Sequence, residues 1–516
     1  MGGSLIRALR RREQPIVLAI AGAAIVVLAI LPIALVLVGV DLGGLSALAN
    51  GRTWTLLGRT LALALAVVLI ALALGVPLGV LLGRTDVPLR RVLWLVHAFP
   101  MFLPPFLPAL GWFHLFGSQG MIGSNGTAGV LFGDLGFVLV LGVTFAPIVT
   151  SLTALGVMGI DASLEESARI VARPWRVSSR ILVPAAAPAI ALSAIVVFAL
   201  ALSEIGVAMF LRVDVYSAAV FARLGGVDFA PGEALALALP LAPITLALLA
   251  AERRFAAQRS FAVLGLRAAR DPLPLRRWRV PATLACVAAT VISIAPLVAL
   301  AVRYGGAPGV AEWASNAPWN GLLAGAAAAT VITMLGLIVG HAAARRLPGA
   351  TILDSACMLA FVMPAAILGV GVMKLWNRAD TQLVYGSLAI VVIGFVARYA
   401  VVGVRVVACV VAQSSVHLEE AAAASGARFG RRLARIVLPV HARGVAFAWL
   451  LALVFCLRDI ETVILFYPPG SEPLTVRIFT LEANGPPAIV AGLCLLHVAI
   501  TAAAIALGAL LVRRRR

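Results

Sequence analysis

Charge is what this 516-residue chain has least of. Asp, Glu, Lys and Arg make up 12% of it, about half the share of an ordinary soluble domain. With 62% hydrophobic residues beside that deficit, a soluble enzyme is excluded, and so is a disordered chain, which needs low hydrophobicity. Lysine is nearly missing. Lys374 is the sole lysine among 41 cationic residues, and Leu375 follows it. A G-x-x-x-x-G-K-[ST] phosphate loop therefore cannot exist, and the chain is not by itself a P-loop ATPase. Cysteine is scarce too. Cys286, Cys357, Cys409, Cys456 and Cys494 lie in or next to apolar segments, with no C-x-x-C and no histidine at metal spacing. They read as small buried hydrophobes, and no metal or cofactor site is expected. The chain also lacks a Ser/His or Asp pair at reactive spacing, which removes an intramembrane hydrolase, and lacks the alternating pattern of a membrane barrel.

What is present is a series of apolar runs long enough for a bilayer, which takes about 20 residues as helix. Twelve can be placed, at 16–40, 56–83, 92–116, 136–158, 185–209, 233–251, 280–302, 321–343, 354–376, 387–410, 440–466 and 487–511. Helix is the form that satisfies its own backbone in lipid. The run after MGGSLIRALRRREQP is too long for a cleaved signal and is read as an anchor retained as the first span. With the N-terminus inside, 30 of the 41 cationic residues fall in inner pieces, 8 in outer pieces and 3 within spans. That bias predicts both termini in the cytoplasm of a multi-pass membrane protein. It also explains the net charge of +19 without a nucleic-acid partner.

The chain repeats itself. Trp54 and Trp319 each open a span. Pro100 and Pro364 each precede a tryptophan, Trp112 or Trp376, by 12 residues. LEESARIVARPWRVSSRILVP (164–184) answers LEEAAAASGARFGRRLARIVLP (418–439), and LSEIGVAMF (202–210) answers LRDIETVILF (457–466). The expected fold is all-α, with twelve transmembrane helices in two tandem six-helix repeats of parallel orientation. The expected organisation is a cytoplasmic tail (1–15), repeat one (16–251), an Arg-rich cytoplasmic linker (252–279), repeat two (280–511) and a second cytoplasmic tail (512–516).

The twin loops between spans four and five, and ten and eleven, are the most informative segments. Each reads as a short amphipathic helix, a turn and a second helix at the membrane face. Ser163 and Glu166 have capping-box spacing. Acids begin each loop and arginines end it, which suits the helix dipole. Gly426 is placed for a left-handed stop. Pro184 and Pro439 are expected in the first turn of the span that follows, where proline is tolerated.

These loops resemble the E-A-A-x-x-x-G-x9-I-x-L-P signature of permease subunits of bacterial ATP-binding-cassette importers. Glu420, Ala421, Ala422, Gly426, Ile436, Leu438 and Pro439 match it. The first copy has Glu166, Ser167, Ala168 and Pro184, is one residue shorter, and carries Ala172 near the glycine position. The resemblance covers nearly the whole chain and implies a type I importer permease. It implies that Glu165, Glu166, Ala168, Ala172 and Pro184, with Glu419, Glu420, Ala421, Gly426 and Pro439, form loops that insert into grooves on two cytoplasmic ATPase subunits. ATP would be bound and hydrolysed there and not on this chain, and a periplasmic binding protein would deliver the substrate. The fused twelve-span form and the segments 203–234 and 457–481, with Pro468, Pro469, Gly470 and Arg477, look like the ferric-iron branch. Related branches carry thiamine, phosphonates or polyamines.

Ionisable residues inside spans are costly and are functional candidates. Glu204 and Asp459 are repeat equivalents. Glu461, Arg458 and Arg398 complete the candidates for a translocation path. The alternative is that they only pair helices, with Arg458 bonded to one of the acids. Arg398 is deep and needs an internal partner, expected among the acids of span eleven, whereas Arg405 is placed to snorkel to the inner surface. Pro100, Pro104, Pro105 and Pro108 are expected to bend or break span three. A 6+6 secondary transporter driven by an ion gradient is the rival reading. It offers no reason for twin Glu-bearing loops.

Overall fold

The computed structural model describes residues 2–38, 46–172, 174–225, 231–257 and 272–513. Among these the chain is almost entirely helical, with an isolated bridge between Thr85 and Leu273. Half of the linker expected at 252–279 lies outside the described residues. Its first six positions continue the helix Leu241–Ala257, and its last residues form a tight turn at Arg276–Trp278 leading into Arg279–Tyr304.

Among the described residues, eight continuous helices are long and apolar enough to cross a membrane: Gln14–Val38, Gly51–Arg84, Asp134–Met158, Gly232–Phe255, Arg276–Tyr304, Ala317–Ala344, Leu388–Val411 and Pro487–Leu510. Four bent pairs bring the number to twelve. They are Arg90–Phe102 with Phe106–Phe116, Trp175–Ala185 with Ala187–Ser203, Ala350–Val362 with Ala365–Trp376, and Phe429–Val440 with Ala442–Arg458. Counted in chain order these pairs are spans three, five, nine and eleven. The protein is a multi-pass, all-helical membrane protein.

The bends have local causes. In spans three and nine the chain turns by 104° and 106°. Leu103, before Pro104, and Met363, before Pro364, are both extended, with ψ of 154° and 132°. A residue ahead of proline is pushed out of the helical region by the ring. Pro108 sits in the opening turn of Phe106–Phe116 and leaves it intact. Spans five and eleven bend by 64° and 89°, at Ala186 and His441. Pro184 and Pro439 lie two residues before those bends, in the last turn of the approach helix and not in the first turn of the span as their spacing suggested. A proline has no N–H to give, and in both copies the turn before it is widened, at Ser178–Leu182 and Leu433–Val437.

Spans five and eleven are also shorter than their apolar runs. The helices stop at Ser203 and Arg458, where Glu204 and Asp459 are extended. An apolar run reports what lipid tolerates, and a helix can end inside it once its free N–H groups find another acceptor.

Packing within each half relies on small residues. Span two lays Gly75 and Gly79 on span four, where an added Cβ would come within 2.5 Å of Val149 and 2.6 Å of Thr153. In the second half, Gly336 and Gly340 meet the backbone of Gly403 and Val404 just as closely, at 2.5 Å. Without a hydrophobic drive between helices in lipid, such close backbone approach supplies the contact. Packing between the halves is an exchange. Span one lies on the second leg of span nine, with Gly371 against the Pro32 carbonyl. Span seven lies on the second leg of span three, with Gly111 against the Pro296 carbonyl.

Candidate functional sites

Both twin loops sit at the face where spans two and eight end. In the first, the helix Ala162–Val171 is capped by Asp161, whose carboxylate accepts from the Ser163 N–H at 2.8 Å and from the Ser163 hydroxyl. The Ser163–Glu166 capping box therefore does not form, because an acid two residues earlier has taken the role and engages the serine as well. In the second loop the first helix is His417–Ala424, closed by Gly426 with φ of 85°. The Ala427 N–H reaches the Ala422 carbonyl at 2.9 Å and the Gly426 N–H reaches Ala423 at 3.0 Å, a Schellman closure that wants glycine at the left-handed position. The first loop needs no such residue. Ala172 is extended (φ −133°, ψ 149°), which alanine adopts freely, so the shorter turn closes by a different geometry.

The paired glutamates divide their work. Glu165 is buried, takes the Arg84 Nε at 2.9 Å, and also pairs with Arg169. Glu419 is its equivalent. It takes the His341 Nε2 at 2.6 Å on one oxygen and Arg345 at 2.7 and 3.0 Å on the other. Burial works to raise the Glu419 carboxyl, but the His341 and Arg345 contacts outweigh it and hold the group below the ordinary carboxylate range. Arg84 and Arg345 stand at or just beyond the last residues of spans two and eight, so each loop is tied at its base to the neighbouring span. The second glutamates, Glu166 and Glu420, are exposed; Glu420 meets His417, at 3.2 Å. Ala421 is exposed beside Glu420, whereas Ala168 is buried against the first loop's own core with Val177 and Leu182.

The same core receives Leu273 from the last part of the linker. Its N–H bonds to the Arg84 carbonyl at 2.8 Å, its carbonyl accepts from Asp86 at 3.2 Å, and its side chain is 1% exposed. The partners Arg84, Arg345, His341 and Leu273 had no signal in the loop sequences. An arginine four or three residues ahead of a proline in both halves (Arg84 and Pro88, Arg345 and Pro348) is the pattern that would have found two of them.

The intramembrane charges gather where spans five and eleven stop. Each acid caps the segment after the break. Glu204 Oε1 accepts from the Val207 N–H and Asp459 Oδ1 from the Thr462 N–H, both at 2.9 Å. Their carbonyls accept from Ser217 and Thr475, at 3.3 and 3.2 Å. The repeat equivalence of Glu204 and Asp459 thus extends to individual hydrogen bonds. Beyond that the halves differ. Asp459 Oδ2 also takes the Tyr399 hydroxyl at 2.6 Å and Thr462 at 2.8 Å. Arg398 finds the expected partners in span eleven's acids, with Nη2 3.1 Å from Glu461 and Nε 3.6 Å from Asp459. Arg458 pairs with none of the acids. It crosses to the other half and donates to the Met101 carbonyl at 2.5 Å, a carbonyl left available next to the break in span three. Arg405, which is 32% exposed, has acidic partners as well. It bonds Glu252 at 2.6 Å and Asp354 at 3.1 Å, and Arg253 joins them through Asp354 at 2.7 Å.

No protein-family model matches the chain. Over 191 residues it is 27% identical to the putative 2-aminoethylphosphonate transport system permease protein PhnV of Salmonella paratyphi A, a stretch covering 36% of this chain and 72% of that one. The corresponding protein of Salmonella typhimurium matches equally, at 27% over the same shares. This weak similarity supports a place among transport permeases and leaves the substrate branch open.

Proposed function

We propose that the chain is the membrane-spanning permease of an ATP-driven importer, carrying both halves of the path in one polypeptide. The observation that supports it is the twin loop. Each is anchored at its base by a buried glutamate and presents the next glutamate, Glu166 or Glu420, to solvent. Two cytoplasmic ATPase subunits, which bind and hydrolyse ATP, would each receive one loop, a periplasmic binding protein would deliver the substrate, and both termini would face the cytoplasm. This chain would carry out no covalent chemistry. The helix after each loop leads, across the bend at Ala186 or His441, into Ala187–Ser203 or Ala442–Arg458. A 17-residue helix is about 25 Å long, so a push on either loop is delivered at Glu204 or Asp459, deep in the membrane. An ion-driven 6+6 transporter has no use for such paired levers.

Two substrate readings have separate support. The segments 203–234 and 457–481 resemble ferric-iron permeases, whereas the similarity to the Salmonella proteins favours an organophosphonate. ATP-dependent uptake of ferric iron and of 2-aminoethylphosphonate, measured in cells carrying the chain with its ATPase and binding protein, separates them. The permease reading itself is tested by Glu420→Ala. Loss of ATPase co-purification and of uptake, with the protein still folded, is expected, and full ATP-driven uptake would overturn it.

A further inference from the structure

The exchange of first helices creates two equivalent seams, and the chain closes them differently. Span seven begins beside the loop that follows span two. There Leu275 packs against the cluster of Val87 and Cys286, its N–H is accepted by Asp86 at 2.9 Å, and Arg279 lies 3.9 Å from the same carboxylate. The turn Arg276–Trp278 lets the chain fold back in this way. Span one begins beside the loop that follows span eight. The sequence ahead of it is similar, with Arg10, Arg11 and Pro15 answering Arg276, Arg277 and Pro281. Here, however, the chain runs on as one helix, Gly2–Ile25, and among the described residues none folds back onto the loop. A groove of about 630 Å³ lies between Pro15, Leu18 and Ala19 on one side and Leu347, Ile352 and Leu353 on the other.

The groove has an apolar body and a basic end. At its floor an added Cβ on Gly22 would come within 3.2 Å of Leu353. Ile352 is 73% exposed at the rim, and Ile16 and Ile20 are exposed on the neighbouring helix, so the body opens toward the acyl chains of the bilayer. Gln14 lines the other end. Beside Leu347 stands Arg346, exposed in a left-handed turn with φ of 54° and without an ion-pair partner among the described residues. Counted back from Pro88 and Pro348, Arg346 takes the place of Asp86. The charge of the seam is therefore reversed. An acid there accepts the chain's own N–H group, whereas an arginine suits a phosphate. The helix ahead of Gln14 adds Arg7, Arg10, Arg11 and Arg12 against Glu13 alone.

From this contrast between the seams we propose that the groove holds one anionic phospholipid, with an acyl chain along Leu18, Ala19 and Leu353 and the phosphate at the Arg346 end. Basic pockets between membrane helices select acidic headgroups, and a zwitterionic lipid would fill the body without gaining from the arginines. The lipid does for span one what Leu275 does for span seven, tying it to the loop of the other half. The turn Phe429–Arg432 of the second twin loop packs against the same helix, Gly2–Ile25, so the lipid braces that loop and has no counterpart at the first.

The test is native mass spectrometry of the full chain, purified in detergent and titrated with dioleoyl phosphatidylglycerol or dioleoyl phosphatidylcholine. One phosphatidylglycerol should bind at least tenfold tighter than phosphatidylcholine. Arg346→Asn keeps the left-handed turn, which asparagine adopts readily. It should weaken phosphatidylglycerol about fivefold, the effect of about 1 kcal/mol per basic residue at a membrane surface, and leave phosphatidylcholine unchanged. Ala19→Trp fills the groove and should abolish the tight step, whereas Val130→Trp, in a separate apolar groove beside Trp112 and Phe116, should not. If Ala19→Trp fails to fold, Arg346→Asn decides alone. Equal affinity for the two lipids, an unaffected Arg346→Asn variant, tight binding in a folded Ala19→Trp variant, glycerol phosphate bound as tightly as the intact lipid, or a dimer of the chain in place of the lipid-bound monomer each overturns the proposal. All of these outcomes leave the permease reading to its own test at Glu420.

Discussion

Replacing Glu165 by Gln should loosen the first loop, whereas the same change at Glu166, one residue on, should leave it as it is. The Arg84 and Glu165 side chains are 7% and 1% exposed, so the buried case applies, in which removing one partner costs about 3–5 kcal/mol. Arg169 is 25% exposed and can turn to water, and glutamine keeps an oxygen able to accept from Arg84, so the lower figure, about 3 kcal/mol, is appropriate. At about 1.4 kcal/mol per tenfold, the open population of Ala162–Val171 should rise roughly a hundredfold. Glu166 is exposed, and surface changes of this kind stay within about 0.5 kcal/mol. Amide hydrogen exchange of the loop in nanodiscs measures both, because local opening sets the exchange of amides in a short helix. Removing both partners, with Arg84→Gln added to Glu165→Gln, should recover part of the protection, since the buried positive charge is then removed along with the negative one. If the two single variants exchange alike, or if Glu165→Gln keeps full protection, the division of labour between the paired glutamates is wrong.

Gly426→Ala should destabilise the second loop by about 1–2 kcal/mol, the cost of a left-handed residue with a Cβ, whereas Ala172→Gly in the first loop should cost under about 1 kcal/mol; exchange protection of each loop distinguishes them. Gly79→Leu should lower the melting temperature sharply, because even a Cβ there would lie 2.6 Å from Thr153, whereas Gly129→Leu, with nothing within 4 Å, should not; equal shifts would refute the close-packed seam. The Glu419 carboxyl is held below its ordinary value. The stabilisation this provides is fully present above the unfolded value of about 4.3 and is lost as pH falls through the folded one. Protection of His417–Ala424 should therefore persist at pH 5 and fail only under the usual carboxylate range, and loss between pH 7 and 5 would contradict the latch. An impermeant thiol reagent should label Ser118→Cys in intact cells and miss Ser425→Cys, and the opposite result would invert the proposed orientation.

Much of the architecture could be read from the residues because lipid imposes simple demands. Apolar runs mark the spans, and the prolines at 104 and 364 mark the two sharpest bends because their ring clashes with the preceding residue. The breaks at Glu204 and Asp459 were not legible. No proline or glycine stands at either position, and an acid in an apolar run reads as an ion in need of a partner when it is acting as a cap for its own backbone. The same blindness hid the cap at Asp161, since Ser163 satisfied the local pattern and only geometry decides which oxygen reaches the free N–H. Partners brought from distant spans, such as Arg84 for Glu165 and Met101 for Arg458, leave no trace in the segments they serve. The repeat itself was the best guide, but its symmetry misleads where one half has diverged: Arg398 and Tyr399 bind the second half's acid, and the capping contacts of Glu204 have no counterpart to them.

The exchange of first helices between the halves also bears on how the protein is made. Span one is the first to emerge, yet the glycine that accepts its Pro32 carbonyl, Gly371, comes about 340 residues later. At roughly 5–20 residues per second of synthesis, that helix stays in the bilayer for tens of seconds without its final neighbour. Span seven has no such wait, because its partner Gly111 has already been inserted. A chain built this way should be most vulnerable to quality-control proteases while its first half is complete and its second half is still arriving. The first span should then be the segment most often found degraded or wrongly paired when synthesis stalls between the repeats.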